Sequence, residues 1–154
     1  MIADKNEIIY SLKKSVNELE NIINSSIKNN NTDVKKIYNR LGIALLWIGC
    51  CLDRLRDNKV GESDFEKAFR GAYDAQKHSI SLVTFNYFRQ GGVTFPFHFP
   101  LAIPAPNYYF SKLDETVIKN VKEIKVYNKV LGGKPIMLEI RNIEKSILLK
   151  LQNI

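Results

Sequence analysis

Arg70, Asp74 and His78 recur at intervals of four along the segment RGAYDAQKH. Residues four apart on an α-helix share a face, so the three side chains form one column. Their types fit phosphate chemistry. A guanidinium anchors phosphate oxygens through its planar fork of donors. An imidazole exchanges protons near neutral pH, and a carboxylate can orient either group by hydrogen bonding. These three are the candidate catalytic residues. The same column also reads as a ladder of surface charge pairs ending in a cation at a helix C-terminus, where the macrodipole favours it.

A second pattern is the series Lys119, Lys122, Lys125 and Lys129. On one side of a helix these ammonium groups could follow a phosphate backbone, which makes them the candidate nucleic-acid-binding residues. The alternative is the solvated face of an amphipathic helix. Aromatic residues crowd the stretch from Phe85 to Phe110, but only Arg89 and Lys112 accompany them. They can stack bases, seal a core or form a contact surface for a partner. His98 and His78 are the only histidines, and neither has cysteines or carboxylates at ligand spacing, so no metal is expected. Cys50 and Cys51 are adjacent and flanked by apolar residues. That setting suits buried, reduced thiols rather than a reactive thiolate, which needs an electropositive, open site. No phosphate-cradling glycine loop, nucleophile elbow or dinucleotide fingerprint occurs, and no cofactor is expected.

Periodicity assigns the elements that must carry these groups. Apolar residues at helical spacing predict a first helix over Asn6–Lys28 and a second over Asp33–Asp57. The middle of the second, LGIALLWIGCCL, is apolar all round and is expected to be buried on every side, Trp47 included. Gly42 and Gly49 share one of its faces and would let another helix approach closely. A capping box at Ser63–Glu66 opens a third helix, over Asp64–Ser79, which holds the Arg70 column. Alternation with a period of two then predicts an extended insert over about 81–110, with a turn at Gly91-Gly92 and a proline-rich strap over 93–103. In the strap Phe95, Phe97 and Phe99 should face the core. Ser111–Asp114 resembles another capping box, and a fourth helix is expected from there to Leu131, with Val117, Val121 and Ile124 inward. Gly132-Gly133 stops it. Pro135 opens a fifth helix with a stripe at Ile136, Ile140, Ile143, Ile147 and Leu151. The expected fold is a mainly α bundle of about five helices, one domain over 1–154, with an extended, hairpin-bearing insert between helices three and four.

At 154 residues, 45% hydrophobic and 25% charged, the chain can bury a core without disulfides or metal. The opening MIADKNEIIYSLKKS lacks the apolar stretch of a secretory signal. The apolar run Leu41–Leu52 falls short of the about 20 residues that a membrane span needs. A cytoplasmic location with no membrane contact is the expectation. The net charge of +7 lies mostly in the second half and favours anionic partners.

With Arg70 and His78 on one helix of a small bundle, the chain resembles the HEPN class of bacterial helical domains, many of which are RNA-cleaving toxins or defence proteins. That class places four to six residues between an Arg and a His on one helix, usually with a polar residue after the Arg. Here seven residues intervene and Gly71 follows Arg70. The resemblance implies cleavage of RNA by its 2′-hydroxyl, with Arg70 on the phosphate and His78 moving the proton. A degenerate, binding-only member fits the same resemblance. The other reading of the chain is a non-catalytic interaction module that self-associates as a homodimer through its aromatic strap.

Overall fold

The computed structural model describes residues 3–86 and 106–154. Helix α1 spans Lys5–Lys28, α2 Val34–Asp57 and α3 Asp64–Lys77. Strands β1 (Val83–Asn86) and β2 (Asn107–Phe110) follow, then α4 (Ile124–Val130) and α5 (Ile136–Gln152). The protein is mainly helical, with a two-stranded antiparallel hairpin between α3 and α4. Among the described residues no helix is long and apolar enough to cross a membrane.

Local chemistry accounts for the helix ends. At Asp4 a capping box opens α1: its carboxylate accepts from Glu7 N–H, and the Glu7 carboxylate accepts from Asp4 N–H. The Ser63–Glu66 box opens α3 in the same way. The apolar stripes then pack together. Leu12, Val16, Leu19, Leu41, Leu45, Ile48, Ile140, Ile143 and Ile147 are all fully buried. Polar ties join the helices at the rim of the core. Arg141 on α5 donates to Glu20 and Asn17 on α1. Glu66 on α3, 1% exposed, accepts from Lys150 on α5. A buried carboxylate needs such a partner, because desolvation penalises its charge heavily.

Helix α2 is central but not enclosed. Leu46 is 42% exposed and Trp47 is half-buried, contrary to the expectation of burial all round. An apolar helix face stays open here because neighbouring helices cover the Leu41–Leu45–Ile48–Leu52 side and leave the opposite side uncovered. Gly49 is a point of close approach by α3. A Cβ there would lie 3.2 Å from the Tyr73 ring.

The insert begins as expected. Val83 is buried, Thr84 exposed, and Phe85 packs on the core. Its partner strand, however, is 107–110, with Val83 opposite Phe110 and Asn86 opposite Asn107. Tyr108 and Phe110 share the buried face of β2. The expected turn at Gly91-Gly92 and the strap over 93–103, with Phe95, Phe97, His98 and Phe99, lie outside the described residues.

The fourth helix is shorter than its pattern predicts. Over 114–123 the chain is irregular, with turns at 115–117 and 122–123, and α4 is confined to Ile124–Val130. Val117, expected inward, is 74% exposed. No capping box forms at Ser111–Asp114. Instead the Asp114 carboxylate accepts from the Thr116 backbone N–H at 2.9 Å and its hydroxyl at 2.6 Å. That local turn competes with helix formation. Asn128 takes both backbone groups of Leu113, and Glu123 has φ +58, a left-handed break just before α4.

Leu45 is fully buried at the centre of α2. Leu45→Ala should cost about 2–5 kcal/mol, as core truncations do. Urea unfolding followed by circular dichroism checks this, with the midpoint shifted and the slope unchanged.

Candidate functional site

Helix α3 does carry Arg70, Asp74 and His78, but their side chains go to three different places. Arg70 points back toward α2. Its Nη1 donates to Asp53 at 2.8 Å, and its Nε donates to Glu62 in the loop before α3. The side chain is 20% exposed, and Nη2 is buried with no hydrogen-bond partner among the described residues. Burial alone would lower the pKa of the guanidinium. The hydrogen bonds and charges of Asp53 and Glu62 outweigh that and hold it above its ordinary value. Arg70 is therefore a cation already neutralised by two carboxylates.

Asp74 does not pair with Arg70. Its Oδ2 accepts the backbone N–H of Lys122 at 2.7 Å, which ties α3 to the turns before α4. Lys77 and His78 lie 3.8 and 3.9 Å from its Oδ1. His78 is the C-cap of α3, one residue beyond its last helical position, and its side chain is 41% exposed. Gly71 has its own packing role. A Cβ there would lie 3.0 Å from the Glu123 carbonyl and 3.1 Å from Tyr127 Cβ, so the residue after Arg70 is where α4 seats on α3. The structure thus keeps the Asp74–His78 neighbourhood and separates Arg70 from it. Asp53 and Glu62, which decide the state of Arg70, are 17 and 8 residues away in sequence, beyond any helical-spacing argument.

The lysines are arranged differently from a helical stripe. Lys125 and Lys129 are one turn apart on α4, whereas Lys119 and Lys122 precede it. All four are exposed, as are Lys112 and Lys134. Lys112 lies over Gly132 and Gly133 at the end of α4, its Cγ 3.1 Å from where a Gly132 Cβ would stand. Among the described residues none of the six is in an ion pair. The three carboxylates of the same stretch are Asp114, Glu115 and Glu123. Asp114 is spent on Thr116, whose hydrogen bonds lower its pKa, and Glu115 accepts from Asn128. Lys112 and Lys134 escaped the sequence pattern because they lie outside the periodic run. Their common signal is compositional, six lysines against three acids over 112–134.

Among the described residues no group of three or more His, Cys, Asp or Glu side chains is placed to hold a metal ion. Comparison with protein-family models, with curated proteins and with solved structures finds no match to this chain.

The two thiols differ. Cys51 is fully buried, and burial, with a smaller contribution from Cys50, pushes its pKa up to about 12. Cys50 is half-buried rather than part of the core, and burial followed by the Asp53 charge raises its pKa as well. Neither is an activated nucleophile, since thiolate formation is what reactivity requires. A disulfide reagent at about pH 8 should label Cys50 slowly and leave Cys51 untouched until denaturant is added. A folded-state pKa above the unfolded value means stability is intact below the unfolded pKa of about 9 and is lost as pH rises toward about 12. Thermal melts across that range check the sign.

Proposed function

We propose that this chain is an RNA-binding domain that does not cleave its ligand. The reading rests on one observation: six exposed lysines over 112–134 that no carboxylate neutralises among the described residues, in a chain of net charge +7. Unpaired ammonium groups attract phosphates, and the release of counterions from the nucleic acid drives binding. Lysine offers a mobile point charge rather than the planar fork with which arginine reads phosphate or base edges. No arginine and one aromatic residue, Tyr127, lie between Lys112 and Lys134, and Tyr127 is fully buried. Contact through such a surface is to the backbone, which positions a strand without reading its sequence.

Cleavage is no part of the reading. A general acid–base mechanism would need Arg70 free to meet a phosphate beside His78. Arg70 instead holds Asp53 and Glu62, and a phosphate would have to displace both carboxylates. The cation beside His78 and Asp74 is Lys77, 3.8 Å from Asp74 Oδ1, a point charge held by that carboxylate and not the planar guanidinium fork that the mechanism assigns to Arg70. Any member of the HEPN class with this arrangement would be of the binding-only kind.

Fluorescence anisotropy with a labelled single-stranded RNA across a salt series tests the proposal. The parent should bind with a steep salt dependence and little preference among sequences. Replacing Lys119, Lys122, Lys125 and Lys129 by Ala should weaken binding and flatten the salt slope by about 0.7 per lost phosphate contact. His78→Ala should change nothing, and the RNA should remain full-length. Absent binding, or a quadruple variant with the parental slope, would remove the RNA reading. RNA shortening that His78→Ala abolishes would restore the nuclease.

A further inference from the structure

We infer that the outer face of α1 and α2 around Tyr10 is a two-fold contact between two copies of this chain. Tyr10 on α1 is 67% exposed, and Trp47 on α2 beside it is only half-buried. Tyr10, Ser11 and half-buried Trp47 line two adjoining concavities on this face. Large apolar side chains left open together mark a contact surface more often than a solvated one. The charges around them suggest what covers it. The concavity toward the start of α1 holds Asp4 and Glu7, and the one toward its middle holds Lys14 and Arg40, with Glu18 bonded to Arg40 at 3.2 Å.

Glu7 and Lys14 are seven residues apart and thus on one face of α1, about 10.5 Å from each other along its axis. Their midpoint falls between Tyr10 and Ser11. A two-fold axis through that point runs α1 antiparallel to its copy and sets Glu7 of each chain opposite Lys14 of the other. Tyr10 and Trp47 of both copies then meet at the centre. An isologous interface needs this kind of self-complementary patch, acid on one side of an apolar centre and base on the other. Lys14 is exposed and in no ion pair among the described residues, and Glu7 uses one carboxylate oxygen on Asp4 N–H. Two copies at +7 each repel at long range. They can approach where acids match bases, and this face carries three acids and two bases. Exposed ion pairs add little affinity, so the aromatic centre drives association and the charges set its register. The contact is independent of the lysine surface and of any RNA.

Sedimentation equilibrium of the full chain over a concentration series tests the contact. The parent should self-associate to a dimer, and Tyr10→Glu should be monomeric. Glu7→Lys and Lys14→Glu should each weaken the dimer roughly tenfold or more, because symmetry makes each reversal count twice. An equimolar mixture of these two variants should associate again, since each then presents the complement of the other. Circular dichroism accompanies the series because Glu7 also caps α1. If Glu7→Lys loses helix, Tyr10→Glu and Lys14→Glu, both at exposed positions, decide the matter. A parent that stays monomeric to high concentration, variants that associate like the parent, or a mixture of folded variants that stays monomeric would overturn the inference.

Discussion

The close approach of α3 to α2 is the constraint from which the rest of this structure follows. Contacts run antiparallel along the pair: Gln76 lies over Gly42, Tyr73 over Gly49, and Arg70 over Asp53. Once the small residues admit Gln76 and Tyr73, the next turn of α3 delivers Arg70 to the Asp53 carboxylate. Glu62, in the short loop between the helices, closes on the guanidinium from the other side. The fate of a residue that looks catalytic by its spacing is thus decided by packing 21 and 28 positions upstream of it, at Gly49 and Gly42. The same helix then receives α4 at Gly71, and Asp74 anchors the turns that lead there. With the Arg70 charge paired to two carboxylates inside the bundle, the unpaired positive charge is left on the surface beyond α4.

Elements defined by long apolar stripes and standard caps were legible in the residues alone. Helices α1, α2, α3 and α5 begin and end within two residues of their patterns, because the apolar period and, at α3, the Ser63–Glu66 capping box agree with one another. The close approach at Gly42 and Gly49 was legible for a simpler reason, since only a missing Cβ makes room for a helix. The fourth helix falls short of its pattern because Val117, Val121 and Ile124 carry an apolar rhythm that local hydrogen bonds override. Asp114 bonds Thr116, and Asn128 captures both backbone groups of Leu113. Partners 2 and 15 residues apart leave no mark on a helical period. Trp47 stays partly open because a continuous apolar run becomes enclosed only where enough helices are available to cover it.

The candidate site shows the same division. That Arg70, Asp74 and His78 share a helix follows from their spacing, and His78 at the helix end follows from the pattern. That Arg70 turns away from Asp74 does not, because a guanidinium chooses among carboxylates by distance in space. The lysines were legible as a group and not as a stripe: composition carried through to the surface, while the helix expected to display them is only seven residues long.

A double-mutant cycle between Asp53 and Arg70, measured by chemical unfolding of the Asp53→Ala, Arg70→Ala and double variants, tests most directly whether Arg70 is a structural clamp. The clamp predicts that either single variant loses stability and that the two losses are strongly non-additive, with a coupling of about 0.5–3 kcal/mol. Additive effects, or an Arg70→Ala variant as stable as the parent, would mean that the guanidinium is free and that the packing of α3 on α2 does not commit it to Asp53.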